Sequence, residues 1–90
     1  MNEQEIIKGL IDEGYSDVQG VDIPANFDSG VHVHEDRTVH VIVSGELTIT
    51  DDNGIHVYHE GDRVEFDPDT KHTARGALSA GRMIVGVRRF

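Results

Sequence analysis

From Val18 onward, apolar and polar residues alternate with a period of two, in short runs that are rich in β-branched side chains. Gly, Pro, Asp and Asn separate these runs. Such alternation is typical of half-buried β-strands, and regular interruption by turn-forming residues is typical of a sandwich or barrel. The pattern therefore predicts an all-β domain, which leaves little of the chain for helices.

About eight strands are predicted from this pattern. They cover residues 17–23, 30–34, 38–43, 46–50, 55–59, 63–66, 71–74 and 83–88. Asn53 and Gly54 predict a tight type I′ hairpin turn between two of the strands, because both residue types tolerate positive φ angles. The strand at 38–43 carries apolar residues on both faces, so we expect its sheet to be covered on both sides and closed or double-layered.

The first residues of the chain have a different period. Four apolar residues recur at three- and four-residue spacing, which predicts a short helix over residues 2–13: Ile6, Ile7, Leu10 and Ile11. Asn2 can cap this helix with Glu5 three places on, and Gly14 can take the left-handed exit conformation. We therefore divide the chain into a helical arm, residues 1–15, and a single β-barrel domain, residues 16–90. The arm could instead be frayed or exchanged with a partner.

The composition excludes several classes of function. Eight Lys and Arg against seventeen Asp and Glu give a net charge of −9, which disfavours binding to nucleic acid and to anionic membranes. The absence of Cys excludes disulfides and thiolate ligands and suits a cytoplasmic protein. No apolar run approaches the roughly 20 residues that span a bilayer. No phosphate loop or dinucleotide fingerprint is present either, which disfavours nucleotide and hydride chemistry.

The histidines carry the clearest chemical signal. His32 and His34 flank one valine, so on a strand their side chains point to the same face and can coordinate one metal ion. His72 lies far along the chain and could return to meet them in an all-β fold. Neutral imidazole suits Zn, Fe, Ni and Cu, and a site with three protein ligands keeps a position open for water or substrate.

The residues around these histidines resemble the two sequence motifs of the cupin family. The first motif is matched by His32, His34 and the hairpin glycine Gly45, and the second by Gly61 and by His72 eleven positions later. The resemblance spans roughly residues 16–88. It implies a small jelly-roll β-barrel, also called a double-stranded β-helix, that holds a divalent transition metal inside: Fe, Ni, Mn, Zn or Cu.

The chain departs from the family pattern at several positions. Thr38 stands where the family has a Glu ligand, counted back from Gly45. Two motif glycines are replaced by Asn26 and Asp69, and the second motif's Pro and Asn fall on Asp67 and Gly76. The resemblance therefore implies a site of three histidines, His32, His34 and His72, without the carboxylate. Such a site leaves an ion with more positive charge and a further open position.

Two inward-facing residues on the predicted strand 38–43 extend the candidate site. Thr38 is expected to line the pocket with its hydroxyl group. His40, two residues on, could be a fourth ligand, a partner of a ligand, a general base or a hydrogen-bonded wall residue. Apolar side chains are expected to form the pocket wall: Ile42, Val64, Phe66 and Met83. Three arginines are either anchors for an anion or surface charge partners: Arg37, Arg75 and Arg82.

These observations lead to one principal hypothesis and two alternatives. The principal hypothesis is a metal-binding cupin-like protein whose pocket takes a small-molecule ligand or substrate, with oxygenase- or isomerase-like chemistry or none. The first alternative is a non-catalytic barrel that binds or senses a small molecule. The second is a structural dimer with a vestigial pocket. A homodimer is expected under each hypothesis, because the helix stripe and the two-sided strands offer apolar surface.

Overall fold

The computed structural model describes residues 2–89, which form one helix and seven strands. In chain order these elements are α1 (Glu3–Asp12), β1 (Ser16–Ile23), β2 (Arg37–Ser44), β3 (Glu46–Asp51), β4 (Gly54–His59), β5 (Arg63–Phe66), β6 (Thr73–Gly76) and β7 (Gly81–Arg88). Seven predicted strands agree with these bounds to within two residues at each end. Within the described residues, no helix combines the length and the apolar character needed to cross a bilayer.

The strands form two antiparallel sheets. The first has the order β1-β7-β2-β5 and the second the order β4-β3-β6. Neighbours in each sheet are mostly distant in sequence, as in a jelly roll. The all-β prediction and the jelly-roll fold are therefore confirmed.

Strand β2 is buried on both faces, as its sequence predicts. Its inner face packs against the second sheet, in a core of buried side chains from both sheets: Ile23, Ile42, Leu47, Ile49, Val64 and Phe66. Its outer face packs beneath the helix in a second core: Leu10, Tyr15, Val39, Val41 and Ile84. The chain thus has three layers: the helix, the first sheet and the second sheet. The candidate metal ligands adjoin the core between the two sheets.

The helix forms where its capping residues predict. The Asn2 Oδ1 atom accepts a hydrogen bond from the Glu5 backbone N–H at 3.3 Å, and Gly14 takes a φ of 99° after the last turn. Leu10, which is 2% exposed, packs the helix against the first sheet of its own chain. In this structure the arm is a formed helix that packs on its own chain. The boundary between arm and barrel at residues 15 and 16 stays a prediction.

Two strand predictions need correction. Residues 30–34 do not form a regular strand, because a φ of 68° at Gly30 interrupts the extended backbone and His32 makes only an isolated bridge. Val31 and Val33 are 70% and 51% exposed, so the alternation there reflects inward histidines and outward valines rather than a sheet ladder. The strand predicted at 71–74 begins instead at Thr73.

The hairpin between β3 and β4 is present, but its predicted turn type is wrong. Asp51 pairs with Gly54 across the turn, so Asp52 and Asn53 are its two central residues. Asn53 does not take a positive φ angle, which a type I′ turn requires, and only Gly54 does, at 114°. The Asn53 N–H instead donates to Asp51 Oδ1 at 2.8 Å, a side-chain bond that stabilises turns of another type.

Gly45 provides a test of the β2–β3 turn. Its φ is 78°, and a Cβ atom there would lie 2.9 Å from the Gly81 Cα atom. We expect Gly45→Ala to lower the free energy of unfolding by about 1–3 kcal/mol, measured by urea denaturation. The control is Gly9→Ala in the helix, where nothing lies within 4 Å. It should raise stability by about 0.5–1 kcal/mol. Equal effects of the two substitutions would contradict this account.

Candidate metal centre

The centre is built on a backbone bridge between two distant segments. The His32 N–H donates to the His72 carbonyl at 3.0 Å, and the His72 N–H donates to the His32 carbonyl at 3.1 Å. Residues that exchange both backbone bonds lie directly opposite each other, with their side chains on the same face. The two imidazoles are therefore neighbours although forty residues separate them in sequence.

Three imidazoles meet at this bridge. Ring centroids are 4.3 Å apart for His32 and His72, 4.8 Å for His32 and His34, and 5.5 Å for His34 and His72. One ligand nitrogen from each ring lies within 4.8 Å of the other two. The structure thus brings together the three histidines that the sequence singled out. Metal–nitrogen bonds of about 2.0–2.1 Å require only a small further approach of the rings.

Hydrogen bonds orient two of the rings. The Nδ1 atom of His32 lies 3.0 Å from the Gly30 carbonyl oxygen, and Nδ1 of His72 lies 3.2 Å from the Thr70 carbonyl oxygen. A carbonyl oxygen can only accept, so each Nδ1 carries the proton and each Nε2 keeps a free lone pair. Histidine ligands of metals are commonly held in this way.

Two neighbours of the histidines have roles that the sequence did not predict. Phe66, predicted only as a wall residue, stacks on the His72 ring at 3.9 Å with the planes 4° apart. The Ser29 Oγ atom accepts a hydrogen bond from the Ala74 N–H at 2.9 Å and lies 3.2 Å from His32 Nδ1. A serine before the His pair carries no spacing signal, because its contact with Ala74 arises only when β6 folds back.

Burial favours the neutral, metal-binding form of these histidines. Desolvation lowers the pKa of His34, and the nearby charge of His32 lowers it further. Desolvation also lowers the pKa of His72, although its hydrogen bond to the Thr70 carbonyl acts in the opposite direction. Neutral imidazoles offer the lone pair that a divalent transition metal needs, so the donor set fits such an ion.

Thr38 and His40 share the inner face of β2, as the strand's periodicity predicts. The Thr38 Oγ1 atom and both ring nitrogens of His40 are buried without a hydrogen-bond partner. Burial lowers the pKa of His40 to about 4, so its ring is neutral at pH 7. His40 does not belong to the group of converging ligand atoms, which consists of His32, His34 and His72. Its role as a fourth ligand stays a prediction.

The remaining candidate residues lie away from the three histidines or in the core. Three of the predicted wall residues are buried between the sheets, and the fourth packs against them: Ile42, Val64, Phe66 and Met83. Their function as a ligand-facing wall stays a prediction. All three candidate arginines pair with carboxylates: Arg37 with Asp67 and Glu65, Arg75 with Asp28, and Arg82 with Glu3 and Asp22. This arrangement favours the surface-partner interpretation for each of them.

The backbone explains how the chain keeps the shape of the motifs without two of their glycines. Asn26 and Asp69 stand at those positions and have φ angles of 59° and 63°. Asn and Asp are the residues other than Gly that most readily take this left-handed conformation. Gly45 and Gly61, which the chain retains, also have positive φ angles, 78° and 89°.

Comparison with known families agrees with this geometry. The profile of a family described as "Cupin domain" matches residues 21–85, which is most of the chain. The chain belongs to the cupin family. The match includes both motifs and all three clustered histidines. A search of curated proteins found no match.

Solved structures show the same fold at low sequence identity. A cupin 2 conserved barrel domain protein from Salinispora arenicola has a TM-score of 0.71 at 18% identity, covering 80% of this cupin and 61% of that protein. A predicted oxalate decarboxylase from Thermotoga maritima has a TM-score of 0.73 at 16% identity, covering 92% and 74%. A cupin protein from Bacteroides fragilis has a TM-score of 0.63 at 27% identity, covering 79% and 64%. This cupin thus spans less than two thirds of the length of two of these relatives.

Buried neutral histidines predict a loss of stability in acid for the metal-free protein. The unfolded chain protonates His40 below about pH 6.5, whereas the folded chain resists protonation down to about pH 4. The unfolded state therefore binds more protons in this window, and stability falls as the pH falls through it. We therefore expect the free energy of unfolding of His40→Leu, relative to that of the wild type, to rise by about 3 kcal/mol between pH 7 and pH 4.

The matched control for this experiment is His59→Leu, because His59 is exposed and lies near Glu46 on the surface. Urea denaturation at several pH values measures both differences. A pH-independent gap between His40→Leu and the wild type would show that His40 is solvated in the native protein.

Proposed function

We propose that this cupin binds one divalent transition metal ion through a ring nitrogen from each of His32, His34 and His72. The observation that carries the proposal is the convergence of the three ligand atoms within 4.8 Å of one another. The free Nε2 lone pairs of His32 and His72, fixed by backbone carbonyls, support it. The donor set of three imidazoles favours Fe, Ni, Zn or Cu over Mn, which prefers oxygen ligands.

The proposed centre has no carboxylate ligand, because the hydroxyl of Thr38 replaces the family's Glu. A bound ion supplies Lewis-acid chemistry and lowers the pKa of a bound water or of another oxygen ligand. Three neutral ligands leave the charge of the ion uncompensated and leave positions for a small-molecule ligand or substrate. The reaction classes that we propose for this centre are oxygenase-like and isomerase-like.

A cavity beside the centre supports access for a small molecule. It has a volume of about 270 Å³ and is lined by His72 together with the residue before His32, the end of β3 with its turn, and the two neighbours of His72: Val31, Thr50, Asp51, Asp52, Lys71 and Thr73. The same cavity would also serve the alternative function, a non-catalytic barrel that binds or senses a small molecule. The two functions differ in whether a metal ion is required for ligand binding.

We also propose that this cupin forms a homodimer. The apolar surfaces first expected to mediate it are covered within the chain, since Leu10 and the outer face of β2 pack on each other. Support comes instead from β4, an edge strand whose Ile55 and Val57 are 71% and 47% exposed. Light scattering should show a dimer at micromolar concentration, and Val57→Lys should shift the mass towards the monomer. A monomeric wild type would contradict this proposal.

The cytoplasmic location expected from the cysteine-free sequence likewise stays a prediction.

Metal content tests the proposed function. Untagged protein loaded with Zn²⁺ or Fe²⁺ and desalted should retain close to one ion per chain, measured by elemental analysis. We expect His72→Ala to reduce retention at least tenfold, because two imidazoles remain where three were present. The control is His59→Ala, which removes an exposed histidine and should retain the ion. Retention that is unchanged in His72→Ala would contradict the proposed ligand set.

A further inference from the structure

Phe66 lies in the core between the two sheets, with its ring against a proposed metal ligand. The ring centroids of Phe66 and His72 are 3.9 Å apart, and the two ring planes differ by 4°. Aromatic pairs in proteins more often have centroids about 4.5–7 Å apart, in offset or edge-on arrangements. Phe66 is 5% exposed, so this close parallel contact is enclosed by the protein.

Two different contacts fix the orientation of the His72 ring. Its Nδ1 atom donates a hydrogen bond to the Thr70 carbonyl oxygen at 3.2 Å, which holds one atom of the ring. This bond alone permits the ring plane to tilt, because a carbonyl oxygen accepts hydrogen bonds over a broad range of directions. The parallel contact with Phe66 fixes the plane. Together the two contacts hold Nε2, the atom with the free lone pair, beside the His32 ring, whose centroid lies 4.3 Å away.

Phe66 is itself held from both faces of β5. On the inner face its backbone lies opposite Thr38 in the ladder with β2, and the His40 ring approaches its ring edge-on at 5.6 Å. On the outer face the preceding residue, Glu65, accepts a hydrogen bond from the Tyr15 hydroxyl at 2.5 Å. Phe66 therefore has little freedom to move away from His72.

The stacked arrangement favours a metal-bound imidazole over a metal-free one. The face of a phenyl ring carries partial negative charge from its π electrons. An imidazole that coordinates a divalent ion donates electron density to it and becomes more positive. The phenyl face therefore attracts the coordinated ring more strongly than the free ring, as in a cation–π contact. A contact that is stronger in the bound state raises metal affinity and not only the stability of the fold.

We infer that Phe66 is a positioning residue, which holds the His72 imidazole in its metal-binding orientation before the ion binds. This inference rests on the proposed function of the three-histidine centre. It gives a residue of the hydrophobic core a role in metal affinity that is separate from its role in folding. Groups that orient histidine ligands commonly change metal affinity by about 10- to 100-fold when they are lost.

Zinc affinity tests the inference, measured by competition with a chromophoric chelator and compared with the urea denaturation of each variant. Phe66→Leu keeps an apolar side chain but removes the flat face, so it should weaken Zn²⁺ binding about tenfold. The matched control is Val64→Ala, on the same strand and in the same core, which removes buried volume but no aromatic face. It should lower the free energy of unfolding by a similar amount and change Zn²⁺ affinity by less than about twofold. An equal loss of affinity in the two variants, or none in Phe66→Leu, would overturn the inference.

NMR spectroscopy of the metal-free protein tests the positioning role without any metal. The His72 ring lies over the Phe66 face, so the ring current should shift its proton resonances upfield of those of His59, which is exposed. This shift should persist in Val64→Ala and disappear in Phe66→Leu. The nuclear Overhauser contact between the His72 and His32 rings should weaken only in Phe66→Leu. A wild-type His72 without the upfield shift, or a contact of equal strength in Phe66→Leu, would contradict the positioning role.

The two proposals can fail separately. A protein that binds no Zn²⁺ contradicts the proposed metal centre, and the spectra of the metal-free variants still decide whether Phe66 orients His72. A protein whose Phe66→Leu variant binds Zn²⁺ as tightly as the wild type retains its metal centre and contradicts the positioning role.

Discussion

The pair of backbone hydrogen bonds between His32 and His72 is the contact on which the candidate site depends. It joins a segment that belongs to no regular strand to the residue just before β6. Without it, the first two histidines would lie on an exposed loop, since Val31 and Val33 face outward. The bridge itself requires the second sheet, because β3 holds β6 there, directly after His72. The barrel thus positions the centre through one non-local pairing.

The two-sided burial of β2 links the N-terminal helix to the interior of the barrel. Val39 and Val41 pack under the helix, while Thr38, His40 and Ile42 point between the sheets. Both faces of β2 are enclosed, so the polar side-chain atoms of Thr38 and His40 lie inside without a hydrogen-bond partner. A buried polar group lowers stability, and proteins commonly accept this at functional sites.

Local patterns predicted much of the fold, and the motif resemblance predicted the convergence of His72 with His32 and His34. Other contacts between distant residues were not predicted. The helix with its Asn2 cap, seven strands and the inward position of His40 followed from periodicity and capping chemistry. The irregular path of residues 30–34 did not, because alternating His and Val imitate a strand and the interruption lies in one φ angle at Gly30. The Ser29 and Phe66 contacts were also missed, since both depend on where β5 and β6 pass the histidines.

Crystals of untagged protein grown with a single transition metal, with anomalous diffraction recorded across its absorption edge, test the central claim most directly. Our account predicts one anomalous peak per chain, about 2.0–2.1 Å from one nitrogen each of His32, His34 and His72, with no protein carboxylate bound. A peak at the acidic surface loops, or a site that lacks His72, would contradict it.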